Sequence, residues 1–302
     1  MAMSENFKGA ALMSGSMAGF VANDAFIKLV GPDIGLFQTI FVRGLFTVAL
    51  LGVLAWLTGA FRHLPGRADL RLISMRTVAE IGATLAFLTA LFHMPLANVT
   101  AILQVLPLTI ALAAAIFLGE PIGRRRIGAI LAGFLGVMII VRPGAADFNI
   151  YAILGLVAVA CVTLRDLSVR RFSPQVSSML VAFITAVVVT VMGGVGTLVQ
   201  GEWTPLGSRE LIFLIFAAVF IFMGYYCSVA AMRVGEVAVV ATYRYSVLLW
   251  AVLLGWWVFG DLPDFWTILG MVLIAAAGLF TMWRESRTAR SLARPAGPPT
   301  DG

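Results

Sequence analysis

The chain has 302 residues, 61% of them hydrophobic and only 12% charged, with a formal charge of +6. A mean hydropathy of +0.99 excludes a soluble globule, which would have far more apolar surface than interior to hide it in. Two cysteines inside apolar runs, Cys161 and Cys227, and two histidines, His63 and His93, exclude a disulfide framework and leave no metal or haem centre to expect.

Ten apolar runs of roughly twenty residues are separated by short polar gaps, at about 8–30, 35–60, 72–93, 97–118, 124–141, 150–170, 178–199, 209–232, 237–259 and 264–284. A run of about 18 apolar residues or more crosses a hydrocarbon layer of about 30 Å as a helix. The expected fold is an all-α integral membrane protein with ten transmembrane helices in a lipid bilayer. The first run is too long for a signal peptide's apolar stretch and nine more follow, so it is read as uncleaved. Pro107 is expected to kink the fourth span, as a hinge or a fixed bend. His93 ends the third span near a surface, in reach of a proton relay or simply solvated. Residues 286–302, with Arg287, Arg290, Arg294 and a Pro-Ala-Gly-Pro-Pro stretch, have no apolar period and read as a disordered cytoplasmic tail.

Lys and Arg in short loops stay on the cytoplasmic side. With the N-terminus inside, the cytoplasmic segments hold Lys8, Arg62, Arg67, Arg71, Arg76, Arg124, Arg125, Arg126, Arg170, Arg171, Arg233, Arg284 and the tail arginines, while the opposite loops hold Lys28, Arg142 and Arg209. Both termini are therefore placed in the cytoplasm. The positive charge is a topology signal, and without basic clusters among aromatics on a soluble face there is no nucleic-acid partner to expect.

Shifted by about 141 or 142 residues, the chain matches itself. Asn23-Asp24 with Lys28 falls on Arg165-Asp166 with Arg170, Leu118-Gly119-Glu120-Pro121 on Phe259-Gly260-Asp261-Leu262, and Gly128 and Gly136 on Gly270 and Gly278. Two repeats of five helices, 8–141 and 150–284, follow. Five is odd, so the second enters the membrane inverted, the architecture of many secondary transporters with a site at the midplane between halves. Small-residue stripes at four-residue spacing, Ala11-Gly15-Gly19-Asn23 and Gly128-Ala132-Gly136, allow close helix approach. The second serves either an internal interface or a homodimer contact.

These features resemble the drug/metabolite transporter superfamily, in its ten-helix EamA-type branch. The Asn23-Asp24 pair with Lys28, Leu164-Arg165-Asp166 and Ala241-Thr242-Tyr243-Arg244-Tyr245 are most similar to bacterial riboflavin and S-adenosylmethionine uptake proteins. The resemblance implies a bacterial inner-membrane carrier whose cavity is lined by helices 1 to 4 and 6 to 9, with helices 5 and 10 peripheral. Its members include importers and exporters.

Ionisable groups at membrane depth cost about 2.5 to 3.5 kcal/mol each at a helix centre unless they face a cavity or partner. Asp24 and Arg43 lie roughly 9 to 12 Å in from the outer ends of their spans by helical rise and are expected to pair. Glu80, Arg165, Asp166 and Arg244 lie at comparable depths on the inner side, two acids with two bases. Either all six are fixed ion pairs between the halves, or the two groups are gates or substrate contacts. Three acids against three bases leave the cavity near neutral. Tyr243 and Tyr245 flank Arg244, Tyr225 and Tyr226 add aromatic surface for a planar ring or cation, and Gln104 aligns with Tyr245 as a neutral polar group. For the tyrosines, packing or interfacial anchoring is the alternative. The acids are matched with arginines and not with each other or histidine, so no enzyme is expected. No Gly-Lys-Ser/Thr loop is present for ATP. The expected function is alternating-access uptake of a small polar metabolite with a heterocycle, such as riboflavin or S-adenosylmethionine, the alternative being export of amino acids or amphiphiles.

Overall fold

The computed structural model describes residues 2–292 apart from 63–64, 121, 146–147, 170, 174–175, 202 and 235. His63, Pro121, Arg170 and the tail from 293 onward lie outside the described residues.

Ten spans appear where apolar runs occur in the sequence. They are α1 (Ala2–Ile34), α2 (Leu36–Leu57), α3 (Arg67–His93), α4 and α5 (Leu96–Leu103, Leu106–Leu118), α6 (Arg124–Val141), α7 (Tyr151–Val169), α8 (Ser178–Gln200), α9 (Ser208–Val234), α10 and α11 (Val237–Val240, Ser246–Phe259) and α12 (Phe265–Leu292). No strand occurs among the described residues. Seven spans are long and apolar enough to cross a membrane by length and composition. The other three carry local reasons for falling short. Ser14, Ser16, Asn23 and Asp24 dilute α1, three arginines open α6, and the ninth span is interrupted. Helix α12 runs to Leu292, so seven residues assigned by sequence to a disordered tail continue the last helix.

The fourth and ninth spans are both broken. Pro107 has no N–H to give to the carbonyl of Leu103, four residues back, and its ring crowds that carbonyl; α4 stops at Leu103 and α5 resumes at Leu106. In the ninth span a 3-10 turn, Ala241–Tyr245, separates α10 from α11, and the Thr242 hydroxyl donates to the Val239 carbonyl at 2.6 Å. Both spans end on a left-handed glycine, Gly119 (φ 70°) and Gly260 (φ 72°), at an offset of 141 residues. No other residue type adopts that conformation as cheaply.

Helix pairing follows the glycines. Helix α1 packs chiefly on α9, α2 on α8, α3 on α7 and α6 on α12. A Cβ on Gly19 would stand 2.9 Å from the Phe220 carbonyl, so α1 and α9 touch backbone to backbone there. Gly136 and Gly270 cross likewise, which gives the Gly136 end of the Gly128-Ala132-Gly136 stripe an internal use between α6 and α12, while Gly128 is exposed. Further contacts of α1 with α11, α11 with α4, α4 and α5 with α7, α2 with α9 and α3 with α8 close a ring of spans in the order one, eight, two, seven, three, six, four, nine. Spans five and ten lie outside it, against four and nine. Exchanging the two halves maps this set of pairings onto itself.

Candidate functional site

The longer helices move the buried charges toward one depth. Asp24 lies ten residues before the end of α1 at Ile34, and Glu80 thirteen residues into α3 from Arg67, so both sit about 15 to 20 Å along their helices. Two separate groups were expected because both spans were drawn too short. In the structure they form one cluster inside the ring.

Arg165 on α7 is its centre. Its Nε donates to Asp166 Oδ1 at 2.8 Å and one terminal nitrogen reaches both Glu80 oxygens, at 3.1 and 3.3 Å. On the other side, Asp24 and Arg43 make no direct ion pair. Asn23 bridges them, its amide nitrogen donating to Asp24 Oδ1 at 2.8 Å and its oxygen lying 3.5 Å from Arg43. Arg43 is also within electrostatic reach of Glu80 and Tyr225, which joins the two sides.

Tyr225 is the shared neighbour. Its hydroxyl lies within electrostatic reach of Glu80, Arg165, Arg43 and Arg76, and its ring meets Phe20 edge-on at 5.2 Å. Although it sits deep among these charges, 60% of its surface is open to a water-sized sphere. Its charged neighbours on α2, α3 and α7 place it toward the inside of the ring. Glu80 and Arg165 are each 24% open and Asp166 37%, so the cluster is partly open and not sealed between packed helices.

Arg76 was missed. Charge counting groups it with the cytoplasmic arginines, yet it stands one helical turn before Glu80 on α3, donates to the Thr185 hydroxyl of α8 at 2.9 Å, and is within electrostatic reach of Glu80, Arg165, Asp166 and Tyr225. The four-residue spacing to Glu80 was the available signal.

Arg244, expected to join Glu80, Arg165 and Asp166, does not. It is exposed and makes no hydrogen bond or ion pair with a described residue, because the ninth span packs against spans one and four, away from three and six. Arg76 takes its place, and the cluster keeps three acids and three bases. Tyr245 is buried with its hydroxyl against Gly278 of α12, facing the periphery. Tyr243 is exposed beside Arg244. Tyr226 continues the outward stripe Ile212, Ile215, Val219 and Met223 of α9, all exposed at three- and four-residue spacing, which turns it to lipid. Gln104 is half-buried at the break after α4.

At the helix ends near Ile34 and His93 the spans are tied together. Lys28 donates to the Met94 carbonyl and lies 5.0 Å over the Phe259 ring, joining spans one, three and nine. His93 stacks on Tyr151 with centroids 3.9 Å apart, and its backbone carbonyl accepts from Asn149 at 3.1 Å. This pins the histidine between spans three and six. Gln38 of α2 holds both backbone groups of Thr204, at 2.7 and 3.0 Å. At the opposite end, Asp69 accepts from Ser173 through backbone N–H and hydroxyl, at 3.1 and 2.7 Å. A cavity of about 210 Å³ between the end of α1, the start of α2 and the end of α8 contains none of the expected site residues.

A model of the EamA-like transporter family matches residues 7–142 and again 149–283. The chain belongs to the EamA-like transporter family. This member is therefore a multi-pass membrane transporter of small molecules and not an enzyme. It is 25% identical to a pseudopaline exporter of Pseudomonas aeruginosa over 268 residues, covering 85% of this chain and 90% of that protein. It is 29% identical to a riboflavin transporter of Vibrio cholerae over 220 residues, covering 72% and 73%. It is also 24% identical to an S-adenosylmethionine uptake transporter of Rickettsia bellii over 273 residues, covering 90% and 92%. A solved crystal structure, 17% identical with a TM-score of 0.57, covers 93% of this chain and 99% of its own, and shows the same fold.

Proposed function

We propose that this EamA-like transporter is a bacterial inner-membrane carrier, with both termini in the cytoplasm, that takes up a polar heterocyclic metabolite of the riboflavin or S-adenosylmethionine kind by alternating access. The single observation that carries the reading is Tyr225, an exposed aromatic face toward the inside of the ring and surrounded by a neutral cluster of buried charges. An aromatic ring stacks on planar heterocycles and on cations, and neutral surroundings accept a molecule of little net charge. The halves, 8–141 and 150–284, act as inverted repeats, and the pairing pattern that survives their exchange supports this. Export is the second reading, favoured by the likeness to a pseudopaline exporter.

Uptake of labelled riboflavin and S-adenosylmethionine by cells lacking their own importer tests both readings. Tyr225→Ala is expected to abolish saturable uptake, while Tyr226→Ala, on the lipid face, leaves it within about twofold of wild type, since surface changes away from special features cost little. Equal loss in both variants would remove Tyr225 from the site. Efflux from preloaded cells without uptake would establish the export direction.

A further inference from the structure

A guanidinium carries five N–H donors in a planar fork. Arg165 directs its donors onto two carboxylates, whereas Arg43 has one 3.5 Å contact with a neutral amide and Arg76 one 2.9 Å bond to a neutral hydroxyl. The Nε of each is closed to water and has no hydrogen-bond partner. Glu80 lies within electrostatic reach of both, but its oxygens are taken up by Arg165. Two under-coordinated guanidiniums, from α2 and α3, thus lie near the same open phenol, that of Tyr225.

We propose that Arg43, Arg76 and the Tyr225 hydroxyl form a subsite for an anionic oxygen group, carboxylate or phosphate, on the transported molecule. This rests on the transport reading above and narrows it to heterocycles that carry such a group, as S-adenosylmethionine does and riboflavin does not. The fork of arginine fits such groups through paired N–H bonds, and these charge-assisted bonds strengthen away from water. Because Asp24, Glu80 and Asp166 already balance Arg43, Arg76 and Arg165, the cluster holds no surplus positive charge, so it favours an anionic group offset by a cation on the same molecule over multivalent anions, whose charge would stand uncompensated in a low dielectric.

The test uses the full chain in liposomes. Labelled S-adenosylmethionine exchanges against unlabelled S-adenosylmethionine or its decarboxylated form, and labelled riboflavin against riboflavin or riboflavin 5′-phosphate. The probe bearing the anionic group is expected to compete about 10- to 100-fold better than its matched partner, the range of a charge-assisted hydrogen bond. The first pair reports a carboxylate and the second a phosphate. Arg76→Gln and Arg43→Gln are each expected to level the difference, and Arg76→Lys, which keeps the charge and loses the fork, to give an intermediate value. Should Arg76→Gln fail to insert, Arg76→Lys and Arg43→Gln carry the comparison. Equal competition within both pairs, or a preference that persists in the variants, overturns the subsite and leaves transport standing. No exchange of any of the four compounds overturns the substrate class proposed above and the subsite with it.

Discussion

Replacing Arg165 by glutamine is expected to abolish transport and to lower stability by about 3 kcal/mol, the scale of removing one partner from a buried ion pair. Arg165 holds Asp166 at 2.8 Å and Glu80 at 3.1 Å, so the substitution leaves two carboxylates facing each other at membrane depth. Partial exposure of the cluster reduces the penalty without removing it. The neutral triple variant Arg165→Gln, Glu80→Gln, Asp166→Asn separates a structural role from a functional one. It removes the two unpaired carboxylates but leaves Asp24 alone against Arg43 and Arg76, so the detergent melting temperature is expected to return part of the way toward wild type while transport stays absent. Recovery of transport along with stability would show that the triad is only a clamp between α3 and α7.

The ten spans, the repeat and the small-residue crossings were legible because each is written in local pattern. Apolar run length sets a membrane helix, and glycine at four-residue spacing marks a close approach whatever the partner. What sequence could not supply was depth and facing. Helix α3 begins at Arg67 and α1 ends at Ile34, each some four or five residues past the apolar run, because polar residues at a membrane surface still extend a helix. That difference splits one charge cluster into two, and counting Arg76 with the cytoplasmic arginines, although it lies inside the third apolar run, leaves it out of the buried set. Tyr225 and Tyr226 show the facing problem most directly. They are adjacent and chemically identical, yet a 100° step along α9 puts one toward the inside of the ring and the other on the lipid stripe. Only the packing of Gly224 against α1 decides which is which. Tyr245 was assigned to the cavity by its neighbour Arg244, but the 3-10 turn rotates it onto Gly278.

The second large effect is expected at Gly19. A side chain there meets the Phe220 carbonyl at 2.9 Å and the Gly224 nitrogen at 3.1 Å, and both are backbone atoms of a long helix that cannot step aside alone. Gly19→Val must therefore push α1 and α9 apart along the interface that sets Phe20 against Tyr225. Overpacking of this kind costs about 1 to 3 kcal/mol, more than the better helix propensity returns, since valine gains only a few tenths of a kcal/mol over glycine. The displacement matters more than the energy, because a shift of about 1 Å at a binding geometry is enough to cost on the order of 100-fold in activity. Gly19→Val is thus expected to insert, melt a few degrees lower, and lose transport. Gly128→Ala, where an added Cβ meets nothing within 4 Å, is the matched control and is expected to keep both. If Gly19→Val transported normally, the backbone contact between α1 and α9 would not be what aligns Tyr225 with the charges, and the alignment would have to come from the α2 and α3 side of the ring.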